Sequence, residues 1–429
     1  MGKVLGIVAE YNPFHNGHLF HLDESKKSSG ASYSIAIISG SFTQRGDSAL
    51  LDKWSRAESA ISCGVDLVIE LPTLYATSSA ENFCDGAIKV LNSLNIVDYL
   101  SFGSEVDDIN ILNILSGILY KEPKQYSQSL KEELKKGLSF PKARSNALLT
   151  YLKHNPDVMH NPKNSTDNKE YDYSTFLNAV SSPNSILGIE YLKALKKYNS
   201  KIQPIAVKRY GANYNDLGCI ENIASATAIR NIIKNDNISI LQNLLPSSTY
   251  SSIINSITNG QIVPDLSVFE KQIIYNLRNM SIQDISNIPD VSEGLENTIK
   301  TAANSCNLLV DFLNICKSKR YTVTRLQRIL VYSLLQISKK DMELSKKIKE
   351  PYIRVLGFNE NGKTLISQIS KANPKLHIIT SVKKFVDTNS NKSLRRLLDV
   401  DINSTNIYTL GYTNNSYSNL DFTKKLIIK

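Results

Sequence analysis

No stretch of this 429-residue chain strings together the roughly 18 apolar residues that a membrane-spanning helix needs. The amino terminus opens on a core-like strand where a secretory leader would carry a charged, apolar signal. Both absences point to a cytoplasmic protein with no membrane partner. The five cysteines, Cys63, Cys84, Cys219, Cys306 and Cys316, are odd in number, scattered and free of any Cys-x-x-Cys spacing. That excludes a disulfide framework and the usual zinc modules, and it fits inert thiols in a reducing compartment. No Cys/His pair stands at an interpretable spacing, so covalent catalysis by cysteine is not expected. Internal repeats and extended low-complexity tracts are also missing, although Ser/Asn-rich loops occur at Asn389–Asn391 and Asn414–Asn419. The length exceeds one ordinary core and implies two or three domains.

What the chain does have begins at its start. The apolar run Val4 to Ala9 is short, β-branched and flanked by turn formers, as a buried parallel strand should be. Asn12-Pro13 breaks it, and a helix follows. His15 and His18 are three residues apart, which at a helix start puts both rings on one face, where the dipole already attracts phosphate. Gly17 between them removes a side chain that would keep a phosphate chain off the backbone. The alternatives are a pair of satisfied structural histidines or, with His21, a metal site at i, i+3 and i+6. No nearby cysteine completes the usual ligand set for a metal, and the site is read without one. The His-x-Gly-His signature resembles that of the nucleotidylyltransferase superfamily, whose members attack the α-phosphate of ATP and release pyrophosphate.

Strands at Tyr33 to Gly40, Val65 to Pro72 and Val97 to Phe102 alternate with helices at Lys53 to Cys63 and Ala80 to Leu94. This spacing predicts right-handed crossovers and an α/β fold with a doubly wound parallel sheet, its ligand beyond the carboxyl ends of the strands. A helical and polar insertion near 105–180, including the polar segment His154 to Asp172, interrupts the rhythm. Pro183 then starts a helix and Ile202 to Val207 forms a further strand ending near Arg209. The expected division is a nucleotide domain over 1–245, a helical RNA-binding module over 246–350 with helices at Leu266 to Met280, Ser292 to Lys317 and Thr324 to Leu344, and a small mixed region over 351–429. Strand–helix alternation is expected to stop near 245. The apolar runs Leu376 to Ile379 and Lys425 to Ile428 imply no particular topology.

Ser225-Ala226-Thr227-Ala228-Ile229-Arg230 places hydroxyls at a helix start and a guanidinium in its first turns. Alone it is an ordinary capped helix. After the histidine motif it looks like the superfamily's second signature, usually Ser-Ser-Thr-x-Ile-Arg, with Ala226 replacing the second serine. Glu10-Tyr11-Asn12-Pro13-Phe14-His15-Asn16-Gly17-His18, Ser39 to Gly46, Asp66 to Pro72, Ser101 to Glu105 and Pro183 to Gly188 together resemble the bacterial tRNA(Met) cytidine acetate ligase family, strongly over about the first 235 residues. That resemblance implies a nucleotidylyltransferase-like Rossmann fold and an enzyme that activates acetate with ATP and acetylates N4 of the wobble cytidine C34 of elongator tRNA(Met). It also implies an ATP site made of Ile7, Val8, Ala9, Glu10, Tyr11, Asn12, Pro13, Phe14, His15, Asn16, Gly17, His18, Leu19 and Phe20, with Gly103, Asn184 and Arg209. Ser225, Thr227 and Arg230 join it through the superfamily signature. His15 and His18 would be the catalytic pair. Mg2+ would ordinarily accompany the triphosphate, but no carboxylate cage is legible.

Charge divides by region. Residues 1–245 carry 25 Lys+Arg against 25 Asp+Glu, whereas 246–429 carry 25 against 15. The whole positive excess is carboxy-terminal, a footprint for a polyanion or a solvated lysine-rich surface. Within it Lys317, Lys319, Arg320, Tyr321, Arg325 and Arg328 look like the family's basic helical segment. Tyr321 would stack on an unpaired base, and Arg325 and Arg328 share a helical face suited to phosphates. Two other functions use the same motifs: an adenylyltransferase acting on a phosphorylated cofactor precursor, and a tRNA-binding protein that only senses ATP. Acetate-dependent pyrophosphate release separates the first, and acetyl transfer the second.

Overall fold

The computed structural model describes residues 2–159, 172–209, 222–235, 237–414 and 418–429. Most of the polar segment 154–172, the Tyr210-Gly211-Ala212 end of the Arg209 motif, Cys219 and the middle of the second Ser/Asn-rich loop lie outside the described residues.

The five expected strands are present as β1 (Val4–Ala9), β2 (Tyr33–Ser39), β3 (Leu67–Leu71), β4 (Tyr99–Ser104) and β5 (Gln203–Lys208). They pair in parallel in the order β5-β4-β1-β2-β3. The chain therefore starts at the centre, runs outward through β2 and β3, and returns to the other side of β1 for β4 and β5. Where it reverses, between β1 and β4, the carboxyl ends of the strands frame a crevice.

Strand side chains alternate between two apolar layers. Val4, Ile35, Ile37, Leu67 and Ile69 enter one core, shared with Phe83, Ala87 and Leu91 of the helix Ala80–Ser93 and with Ile189 and Leu192 of the helix Pro183–Lys197. Leu5, Ile7, Ala36, Ile38 and Val68 enter the other, beneath α1 (Asn16–Ser29) and α2 (Lys53–Ser62). With both faces covered, the strands read in sequence as unbroken hydrophobic runs, not as alternating ones. The insertion is helical where described, with helices Ile109–Lys121, Lys124–Lys135, Phe140–His154 and Tyr173–Ser181.

The carboxy-terminal part differs from expectation in two ways. The long helices expected over 292–317 and 324–344 are each broken, into Leu295–Ser305 and Leu309–Cys316, and into Val323–Leu335 and Lys339–Lys347. In the second case Gln336 turns left-handed, with φ of 55°, and a Ser338/Asp341 capping box starts a new helix. Strand–helix alternation also resumes after 350. β6 (Ile353–Phe358) pairs antiparallel with β3, while β7 (Ile378–Ile379) and β8 (Ile427–Ile428) pair in parallel with β6. The physical reason is the edge of β3, whose backbone groups need a partner, and the carboxy-terminal segment supplies it.

An ionic cluster locks that addition. Lys53 Nζ lies 2.8 Å from both oxygens of Glu70 on β3 and 2.8 Å from Asp421 Oδ1, and Arg354 Nη2 on β6 lies 3.1 Å from the same Asp421 oxygen. The Lys53, Glu70 and Asp421 side chains are at most 1% exposed. Burial opposes the Lys53 charge, yet Asp421 and Glu70 outweigh it and hold its pKa above the usual lysine value. Replacing Lys53 by Met strands two buried carboxylates, so Lys53→Met is expected to lower stability by about 3–5 kcal/mol. Chemical denaturation midpoints measure this, and a loss below about 1 kcal/mol would show that the cluster contributes little.

Candidate active site

The first motif is built by local geometry. β1 ends in a turn at Tyr11, a buried residue held at φ of 48°, followed by a cis Asn12-Pro13 bond. His15 is the N-cap of α1. Its Nδ1 accepts from Gly17 N at 3.0 Å, and His18 Nδ1 accepts from His15 N at 3.3 Å, so two histidines form a reciprocal capping box. Because each Nδ1 is an acceptor, each ring is neutral and carries its proton on Nε2. The rings stack with centroids 3.8 Å apart, and Tyr11 and Phe14 pack around His18. A Cβ on Gly17 would stand 2.9 Å from the His15 ring, so this glycine first of all lets His15 cap the helix.

His21 takes a different part. Ser25 Oγ donates to the His21 carbonyl and is 2.7 Å from Ser101 Oγ, which in turn is 3.1 Å from His21 Nε2. The direction of the first bond sets the others: Ser101 donates to Ser25, and His21 Nε2–H donates to Ser101. This fastens α1 to β4. Among the described residues no three His, Cys, Asp or Glu side chains converge to hold a metal.

A cavity of about 450 Å³ opens at the carboxyl ends of β1 and β4. Of the residues named from the first motif, Ile7, Val8, Ala9, Glu10, Tyr11, Asn12, His15, Gly17, His18 and Phe20 line it; Pro13, Phe14, Asn16 and Leu19 do not. Phe14 is wholly buried in the core beneath α1, against which Leu19 packs, and Asn16 Nδ2 donates to the carbonyls of Asn222 and Asn243. Gly103, Asn184, Arg209, Ser225, Thr227 and Arg230 also line the cavity. Arg209 crosses directly over Gly103, where a Cβ would meet its side chain at 3.0 Å. Ser225 caps the helix Ala226–Lys234, and Arg230 donates from Nη1 to Asn12 O at 2.9 Å and from Nη2 to Thr227 Oγ1 at 3.2 Å. The two signatures, more than 200 residues apart, thus meet at the β1 turn.

Sequence reasoning passed over several lining groups: Gln44 and Arg45 after β2, Glu105 after β4, Lys208 at the end of β5, and the aromatic wall of Phe83, Phe102 and Tyr191. The available signal was position, since all the polar ones lie at or just after carboxyl ends of strands. Glu105 accepts from Asn184 Nδ2 at 2.7 Å and Ser185 N at 2.8 Å, which fixes Asn184 at the wall. The cavity therefore gathers Arg45, Lys208, Arg209 and Arg230 against Glu10 and Glu105, a cationic bowl with two neutral imidazoles at its base.

The basic run of the helical module lies elsewhere and is largely engaged. Arg328 is 8% exposed and its Nε is 2.9 Å from Asp290 Oδ2. Arg325 donates to Asp290 O and Ser292 Oγ and lies over the Tyr321 ring, and Arg320 pairs with Glu293. The shared face of Arg325 and Arg328 is turned to the 290–293 loop. Lys319, like Lys317, is exposed and makes no ion pair among the described residues.

A Rossmann-type sheet with this histidine-capped turn and cationic crevice defines a nucleotide-transfer protein, and residues 2–422 match the family model described as HIGH Nucleotidyl Transferase. The tRNA(Met) cytidine acetate ligase of Caldanaerobacter subterraneus subsp. tengcongensis is 43% identical over 99% of both chains, and that of Acetivibrio thermocellus is 39% identical over 99% of this chain and all of its own. The crystal structure of Thermotoga maritima TmcAL bound with alpha-thio ATP superposes with a TM-score of 0.89 at 33% identity, covering 99% of each chain. The chain belongs to the tRNA(Met) cytidine acetate ligase family of HIGH nucleotidyl transferases.

Burial sets the protonation of the base of the site. It lowers His15 to about 3, with the Arg209 charge assisting, and lowers His21 to about 4. His18 is held well below the usual imidazole value, first by burial and then by His15. In the unfolded chain these rings take up protons near pH 6.5, so between there and about pH 3–4 the unfolded state binds more protons than the native one. Stability of the ligand-free protein is therefore expected to fall as pH drops from 6.5 toward 4, and His21→Gln should flatten that fall. Denaturant midpoints across this range provide the check; parallel wild-type and variant profiles would contradict it.

Proposed function

We propose that the protein is an ATP-dependent ligase that joins acetate to AMP and then acetylates N4 of the wobble cytidine C34 of elongator tRNA(Met), releasing AMP and diphosphate. The observation that carries the phosphate chemistry is the pair of Nε2–H donors at the start of α1, opposite Arg209 and Arg230. Such fixed donors stabilise charge that develops on a phosphate in the transition state. The choice of acetate and of tRNA(Met) rests on the family, whose members carry both substrates in their name.

In the first step an acetate oxygen attacks the α-phosphorus and pyrophosphate leaves, with His15 and His18 donating to the phosphate oxygens and Arg45, Lys208 and Arg230 placed for the departing charge. The cytidine amine then attacks the acetyl carbonyl, its bond to AMP breaks, and the amine proton is lost. Ser225 and Thr227 position Arg230 and its helix, and Asn184 and Arg209 border the nucleotide. Glu105 is engaged by Asn184 and Ser185, and Glu10 Oε1 accepts from Gln44 N. Mg2+ arriving with ATP would keep phosphate and water ligands. Nucleotide chemistry is assigned to 1–245 and RNA binding to the helical module over 246–350, where Lys319 of the arginine-rich run is left without an ion pair among the described residues.

His18→Ala is expected to reduce acetate-dependent pyrophosphate release by about 100- to 1,000-fold with the fold retained. Release that proceeds equally without acetate would instead favour an adenylyltransferase, and near-normal turnover would remove His18 from the chemistry.

A further inference from the structure

Residues 246–429 carry ten more basic than acidic residues, yet Arg320, Arg325 and Arg328 are tied to Glu293, Asp290 and Ser292. Four of the lysines left without an ion pair line a second cavity of about 630 Å³, between the helix Lys339–Lys347, the segment leading into β6 and the start of the helix Lys392–Tyr408. Its lining includes Lys340, Lys347, Lys349 and Lys375, with Glu343 and Glu350 as the opposing carboxylates. All four lysines are exposed, and none forms an ion pair among the described residues.

Sheet register places this cleft relative to the active site. β6 runs antiparallel to β3, so the amino-terminal ends of β6 and β7 lie at the same edge as the carboxyl ends of β1, β2 and β3. One row of paired residues runs Ala9, Ile38, Glu70, Arg354, Ile379. Ala9 lines the nucleotide cavity, and Ile379 lies two residues after His377, which lines the lysine cleft. Four strand spacings of about 4.8 Å separate them, or about 19 Å along one edge of one rigid sheet.

We propose that this cleft binds the phosphate backbone of the RNA substrate through Lys340, Lys347, Lys349 and Lys375, holding the molecule while its target base reaches the nucleotide cavity. The proposal rests on the functional reading above. Ammonium groups on flexible stems act as point charges, without the fork geometry that reads bases. The cleft therefore supplies affinity and register, and base selection falls to the nucleotide cavity. An open cleft lined by exposed lysines suits a ribose-phosphate chain better than a small anion, which would need buried, fixed donors.

The test uses the full chain with all four lysines replaced, Lys340→Ala, Lys347→Ala, Lys349→Ala and Lys375→Ala, and a tRNA(Met) transcript titrated across salt concentrations. Tenfold or greater loss of affinity at low salt is expected. The slope of log affinity against log salt should shrink by about 0.7–0.9 for each phosphate that the lysines no longer neutralise, about 3 in all, with ATP affinity unchanged. Unaltered tRNA affinity and slope would overturn the proposal, as would an equal loss of ATP affinity. Wild-type protein that bound no tRNA would refute the functional reading itself, whereas wild-type binding with an unaffected variant would refute only the cleft.

Discussion

The arrangement of the site depends on one buried guanidinium. Arg56 in α2 is fully buried, and it donates from Nε to Leu51 O, from Nη1 to Glu10 O and Ser39 O, and from Nη2 to Gly40 O. Those four carbonyls belong to the exits of β1 and β2 and to the residue preceding the N-cap of α2. Strand ends leave carbonyls without ladder partners, and burying one unsatisfied costs about 1–3 kcal/mol. A single side chain with five donors in a fixed fork satisfies all four and sets the distance between the two strand exits. Everything the nucleotide cavity uses from β1, including the turn that delivers His15, starts from that anchored edge.

From the same edge the rest of the molecule is suspended. Tyr332 and Tyr408, both buried, donate to the carbonyls of Thr77 and Ala49 and so bring the helical module and the carboxy-terminal segment onto the loops that follow β3 and β2. The loop carrying Gln44 and Arg45 is held at both ends: Gln44 N donates to Glu10 Oε1, and Gly46 lies against the backbone of Gln327 and Arg328. The basic helix thus touches a loop that borders the nucleotide cavity. Its arginines Arg325 and Arg328 hold the 290–293 loop beside it, so part of the cationic run is engaged within the protein while Lys317, Lys319 and Arg320 remain at the surface.

The histidine pair shows how burial, assisted by the Arg209 charge, keeps imidazoles neutral. Each ring gives Nδ1 to a backbone N–H and thereby keeps Nε2–H for the cavity, while desolvation keeps both rings uncharged in the absence of ligand. A bound triphosphate would meet these Nε2–H donors with the rings still neutral, because a second proton on Nδ1 would break the bonds from Gly17 N and His15 N that cap α1. Cavity arginines supply permanent charge, and the imidazoles supply fixed, neutral Nε2–H donors.

Local features were legible in the chain. The turn at Asn12-Pro13, the His15/His18 spacing, the capped helix at Ser225 and five buried strands all depend on interactions within a few residues, so propensity and periodicity suffice to place them. Phe14 and Leu19 sit inside the first motif yet face the core, because a signature is contiguous in sequence whereas a cavity touches only one face of a helix. Arg56, the Lys53–Glu70–Asp421–Arg354 cluster and β6 were hidden, since their partners lie up to 368 residues away. By itself the sequence determined the nucleotide-binding half and the sign of the carboxy-terminal charge. Only the tertiary structure decided which cations are spent inside the protein and which face solvent, because that depends on which carboxylates and carbonyls long-range packing brings within hydrogen-bonding reach.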